Sequence, residues 1–188
     1  MDTSKLWTLW ADEKINEAEA KLLRTRAEDL PVPYDKEGRK AIETVVRAFL
    51  KRDDAVGLAA PQIGISKRII VFRSRNLETK EPLQDGDYEV LVNPRITQKR
   101  GDVETMREGC LSCPDINVEV PRFIEIKVKA CDRAGGKINI RYTGYLARVV
   151  QHEIDHLDGT LILDRGSTIF YPREKEKFFD SIFSDTTE

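Results

Sequence analysis

Apolar residues recur with two different periods along this chain, and the changes of period mark out its elements. Residues 11–28 hold Ile15, Ala18, Leu22 and Leu23 at helical spacing in a run free of Gly and Pro. That spacing predicts a helix, closed by Pro31 and Pro33. Asp35 is the expected N-cap of a second helix reaching about residue 52, with Ile42, Val45, Val46, Phe49 and Leu50 on its buried face. Beyond it the period shortens. Arg68–Phe72 reads as a strand, residues 74–87 as a polar loop with Pro82 and Gly86, and Tyr88–Val92 as a strand ended by Asn93-Pro94. Residues 95–106 alternate weakly, as a further strand would. Ile124, Ile126, Val128 and Ala130 alternate with Glu125, Lys127 and Lys129, a half-buried strand. The turn 132–136 then leads to alternating Lys137–Tyr142, which completes a hairpin.

Helical spacing returns between Gly144 and Gly159, and again in a short charged segment that opens at Pro172. The sum is an α+β fold: small antiparallel or mixed sheets packed around a central helix at about residues 145–157. A chain of 188 residues suits a single domain. In that reading residues 1–28 are a helical extension, and 172–188 a short C-terminal helix and tail.

The central helix carries both histidines of the chain, His152 and His156, in Gln151-His152-Glu153-Ile154-Asp155-His156. Positions i and i+4 lie one above the other on a helix, so a divalent metal can sit between the rings, and the intervening Glu can act on water there. Tyr145, Val149 and Glu153 share the arc with the two His, which makes Tyr145 and Val149 natural walls of an apolar pocket. The wheel puts Arg148, Gln151 and Asp155 on the opposite side.

Two imidazoles need a third ligand. The downstream position for a third His holds Ile162, and Glu174, Glu176 and Glu188 lie in a charged tail. Cysteine remains: Cys110 and Cys113 form a CxxC. Both bound would give a closed structural zinc site, and one bound would leave a position open for water and catalysis. A second stretch, Asp54 to Gly64, is dominated by small residues that allow close backbone approach. On composition alone it is a packed turn, with Gln62 a surface amide.

Net charge is −2, which gives no electrostatic ground for nucleic-acid binding. No apolar run reaches membrane-span length, and Met1–Lys14 lacks the apolar core of a signal peptide. With three cysteines and no export signal, free thiols or metal ligands are expected rather than a disulfide framework, which points to a reducing cytoplasm.

Three ordered motifs together resemble the peptide deformylases: Ala55-Val56-Gly57-Leu58-Ala59-Ala60-Pro61-Gln62, Glu108-Gly109-Cys110-Leu111-Ser112, and Gln151-His152-Glu153-Ile154-Asp155-His156-Leu157-Asp158-Gly159. The resemblance runs from about residue 40 to about residue 165, and its one motif departure is Ala55 where the family usually has Gly. It implies that Cys110, His152 and His156 bind one divalent metal, commonly Fe²⁺ with Zn²⁺ and Ni²⁺ forms known, and that Glu153 is the acid–base. It further implies an oxyanion hole made by the Gln62 amide and the Leu111 backbone N–H. Val56 and Gly57 would pair with an extended peptide, Tyr145 and Val149 would line the Met pocket, and Glu108 with Arg122 would brace the cysteine loop. The implied activity is removal of the N-formyl group from formyl-methionyl peptides of newly made chains, which places the protein near the ribosome.

Overall fold

A computed structural model describes residues 5–75, 83–84 and 86–183 of the chain. In order, the elements are β1 (Trp10–Ala11), β2 (Lys14–Ile15), α1 (Glu17–Leu23), α2 (Lys36–Leu50), β3 (Gly57–Ala59), β4 (Ile69–Arg73), β5 (Tyr88–Cys110), β6 (Cys113–Cys131), β7 (Lys137–Thr143), α3 (Gly144–Leu157), β8 (Ile169–Phe170) and α4 (Glu176–Phe183). The fold is α+β. A six-stranded sheet runs β3-β4-β5-β6-β7 with β8 on β6, all pairings antiparallel, and β1-β2 form a separate two-stranded ribbon.

Strand β4 shows why the sheet is sandwiched. All five of its residues are buried, and their alternation sends Ile70 and Phe72 to one face, Ile69 and Val71 to the other. The first pair joins Val149, Val150, Ile154 and Leu157 of α3. The second joins Ile42, Val45, Val46 and Phe49 of α2, whose N-cap Asp35 accepts from the Gly38 N–H at 2.7 Å. Leu50, expected on that buried face, is 41% exposed. Helix α3 thus lies on the sheet, and buried Arg68 ties down its far end by donating to the Leu157 carbonyl at 2.9 Å and to Asp158 at 2.7 Å.

Several elements differ from the pattern-based expectation. The helix expected over 11–28 is α1 alone, preceded by the β1-β2 hairpin. Asp12 and Glu13 take positive φ (48° and 55°), as a two-residue hairpin turn of the mirror-image type requires. Helix-favouring composition yields here to the burial of Leu9 and Trp10, and Ile15 ends up 56% exposed. Strand β5 does not stop at Asn93-Pro94. Asn93 adopts φ 54°, and the strand passes through an irregularity between Val92 and Arg95. Its side-chain amide clasps the Leu30 N–H and C=O, each at 2.8 Å, so the kink serves a long-range tie. Ile124 is exposed, unlike Ile126 and Val128, because pairing with β7 ends at Glu125. Pro82 of the polar loop and tail residues 184–188 lie outside the described residues. Among described residues no helix is long and apolar enough to cross a membrane.

Candidate active site

The site forms where the β5–β6 turn, the start of β3 and the inner face of α3 meet. Cys110 ends β5, and its Sγ lies 3.3 Å from a ring nitrogen of His156, Nε2. The donor atoms of Cys110, His152 and His156 all fall within 4.8 Å of one another. The two rings, one turn apart on α3, stand 5.1 Å centroid to centroid. Cys113 is the cross-strand partner of Cys110, is fully buried, and stands outside this group of three. The Cys113 thiol and the His156 ring favour the Cys110 thiolate, so the Cys110 pKa is held well below the ordinary thiol range although burial opposes it. Cys113 is pushed up by its hydrogen bond to Cys110 and by burial.

Behind His152 lies a buried charge cluster. The His152 Nδ1 is 3.0 Å from Glu108 Oε2, which turns the other ring nitrogen toward Cys110. Burial would raise the Glu108 pKa, but hydrogen bonds from Arg122 and His152 hold it down at about 2. Arg122 grips Glu108 with two bonds of 2.9 and 2.8 Å, and reaches Asp155 at 2.5 Å. Arg148 donates to Glu108 at 2.7 Å, and to the carbonyls of Val120 and Glu104 at 2.9 and 2.6 Å. Arg165 closes the cluster on Asp155 at 2.5 Å.

Arg148, Gln151 and Asp155, opposite the two His on the wheel, are therefore buried as well. A polar residue facing away from the metal face reads as exposed on a helical wheel, and only the strands laid across that face supply its partners. Gln151, for instance, donates to the Phe123 carbonyl of β6 at 2.8 Å.

Glu153 projects from α3 into the same space. It is 4% exposed, its Oε2 has no hydrogen-bond partner among the described residues, and burial raises its pKa. Gly57 faces it so closely that a methyl group there would stand 2.7 Å from the Glu153 Cδ. Gln62 is 2% exposed, which corrects the surface-amide reading. Its Oε1 accepts the Ala59 N–H at 2.8 Å and its Nε2 donates to Ser112 Oγ at 3.3 Å, so the amide is oriented. Ala55, the motif departure, packs its methyl group with the α2 core and is not among the residues of positive φ.

A cleft of about 630 Å³ opens over these groups. Val56, Gly57, Gln62, Glu108, Cys110, Leu111, Tyr145, Val149, His152 and Glu153 all line it, whereas Arg122 and His156 sit behind its wall. Tyr145, at the mouth, is 48% exposed and Val149 is buried. Met106, Asp115 and Asn117 also line the cleft. No motif marks them in the sequence, and the cross-strand pairing of β5 with β6 brings Met106 and Asn117 there.

The donor chemistry fits a divalent ion: a thiolate and two imidazoles converge beside a buried carboxylate oxygen that lacks a partner. Such a cleft on an α+β scaffold defines a class, the hydrolases built around a metal site. A sequence model of the polypeptide deformylase family matches residues 12–169. Peptide deformylase 1 of Bacillus subtilis is 40% identical over 160 residues, covering 85% of this chain and 93% of that protein. The crystal structure of a peptide deformylase from Synechococcus elongatus in complex with actinonin superposes with a TM-score of 0.73 at 31% identity, over 97% of this chain and 86% of that one. The Thermotoga maritima peptide deformylase structure gives 0.65 at 40% identity, over 78% and 92%. The chain belongs to the polypeptide deformylase family.

Proposed function

We propose that this chain removes the N-formyl group from formyl-methionyl peptides through one metal held by Cys110, His152 and His156. The reaction is hydrolysis of a linear formamide: one water is consumed, and formate and a peptide with a free N-terminal Met are released. The observation that carries the reading is the convergence of the three donors beside the unpartnered carboxylate of Glu153. A bound divalent ion would supply Lewis acidity, lowering the pKa of water and polarising the formyl carbonyl. Fe²⁺ is the native ion in this reading, with Zn²⁺ or Ni²⁺ accepted by the same donors.

The side chains of this chain supply the rest. Glu153 takes a proton from the attacking water and returns it to the leaving amine, a role suited to a carboxyl whose pKa burial has raised. The Gln62 amide and the Leu111 N–H donate to the oxyanion of the tetrahedral state. Val56 and Gly57 pair with the extended peptide backbone, while Val149 and Tyr145 wall the Met side chain. Glu108, clamped by Arg122, orients His152 and braces the cysteine loop. The whole chain acts as one catalytic domain in the cytoplasm, on nascent chains near the ribosome.

The test is formate release from formyl-Met-Ala-Ser by protein purified without air, beside Glu153→Gln and Cys113→Ser, with the metal content of each measured. Glu153→Gln is expected to lose roughly 10²–10⁴-fold in kcat with its metal retained, and Cys113→Ser to stay active. An inactive parent whose tightly held metal is released by Cys113→Ser would mean a closed structural site.

A further inference from the structure

The segment Leu6–Trp10 lies ahead of the stretch that the family model matches, and it lines no part of the cleft. Its backbone is nevertheless bonded to both loops that flank the site. The Trp7 N–H donates to the Gln62 carbonyl at 2.8 Å, and the Leu9 N–H to the Ser112 carbonyl at 2.9 Å. Between them the Thr8 N–H points the other way, to the Glu19 carboxylate of α1 at 2.8 Å. This is the period-two alternation of extended chain. Side chains add two further ties. The Trp7 ring covers Gly64, where a methyl group would meet it at 2.7 Å, and Gly64 (φ 78°) ends the turn that carries Gln62. The Trp10 indole N–H donates to the Pro114 carbonyl at 3.0 Å. The rest of that indole packs edge-on against Phe178, Phe179 and Phe183 of α4, which anchors the segment from outside.

We propose that Leu6–Trp10 is a positioning strap that sets the spacing between the Gln62 amide and the Leu111 N–H. The proposal rests on the oxyanion role assigned to those two groups above. They sit on loops about fifty residues apart in sequence, and the side-chain link between the loops, Gln62 Nε2 to Ser112 Oγ, is long at 3.3 Å. The strap joins the same loops through two amides of one extended segment, a ruler of about 7 Å that cannot stretch. Donors to an oxyanion stabilise it only when already in place as charge develops. Trp7 and Leu9 touch neither substrate nor metal, so they are positioning residues.

Two variants test this: deletion of residues 1–7, and Trp7→Ala. Each is compared with the parent for kcat and KM on formyl-Met-Ala-Ser, melting temperature, metal per chain, and amide hydrogen exchange over residues 59–62 and 110–112. The deletion is expected to lower kcat about tenfold, ~1.4 kcal/mol on the barrier. KM and metal content should hold within about twofold while exchange quickens at both loops. Trp7→Ala should move the same readouts in the same direction by about threefold, and it decides the matter if the deletion does not fold. An unchanged kcat, or a loss that merely tracks metal and folded protein, overturns the proposal. A parent that releases no formate refutes the oxyanion assignment instead, and unchanged exchange in the variants then overturns the strap by itself.

Discussion

Gly57→Ala offers a direct measure of how tightly the site holds Glu153, the acid–base group of the proposed reaction. The added methyl would stand 2.7 Å from Glu153 Cδ and 2.9 Å from Cγ, where ordinary contact begins near 3.4 Å. Gly57 is fixed by its pairing with Phe72, and α3 by its packing on the sheet, so the flexible end of Glu153 must move. The retreat is about 0.7 Å at Cδ. A misplacement of about 1 Å of a reacting group costs on the order of 10²-fold. Gly57→Ala should therefore lower kcat roughly ten- to a hundredfold, or ~1.4–2.7 kcal/mol. The melting temperature should move little, because a single side-chain end absorbs the clash.

Formate release under saturating formyl-Met-Ala-Ser reads kcat, and the double variant separates the two possible causes. Glu153→Asp shortens the side chain by one methylene and withdraws it from Gly57. If displaced Glu153 is the cause, Gly57→Ala made in the Glu153→Asp background should cost less than threefold further, a coupling of about 1 kcal/mol or more. A rise in KM with kcat unchanged would instead mean that the methyl crowds the peptide strand. A kcat within threefold of the parent would refute the contact as the determinant of Glu153 placement.

Three further outcomes follow from the geometry. Arg122→Met leaves Glu108 and Asp155 short of a buried partner and should destabilise the fold by about 3–5 kcal/mol in denaturant unfolding, as breaking a buried ion pair does. Cys110→Ser replaces the thiolate of the donor cluster and should lower bound metal per chain at equal protein, by elemental analysis, with far-ultraviolet dichroism unchanged; full metal retention would count against the assigned ligand set. The Tyr142 hydroxyl donates to Glu89 at 2.6 Å, and burial together with that carboxylate raises its pKa. The fold holds the neutral phenol, so this contribution is complete below about pH 10 and declines above it. Tyr142→Phe should remove one late-titrating phenol from the alkaline absorbance change and lower stability by about 1 kcal/mol at neutral pH.

What could be read in advance was whatever a local pattern encodes. Asp35 and the spacing Ile42, Val45, Val46, Phe49 specify α2 without reference to anything else, and the structure has that helix with that cap. The β6–β7 hairpin and the limits of α3 were legible for the same reason, alternation broken by Gly and turn residues. Residues 10–15 were not, because their conformation is decided by a partner more than a hundred and sixty residues away. Trp10 is buried against Phe178 and Phe179, and the chain turns at Asp12-Glu13 to put it there. The partners of the polar face of α3 were illegible for a related reason. Arg148, Gln151 and Asp155 look solvated until strands β5 and β6 are laid over them, and only then do their buried ion pairs and amide bonds exist. The same asymmetry holds in the site. Cys110, His152, Glu153 and His156 were marked by motif spacing, whereas Met106 and Asn117 reach the cleft through strand register alone. Chemistry that needs fixed residue types at fixed intervals leaves a trace in one dimension. The supports that hold those residues at working distance are chosen by three-dimensional contact, and the strap at Leu6–Trp10 belongs to that second kind, with two backbone amides whose side chains give no hint of what they bind.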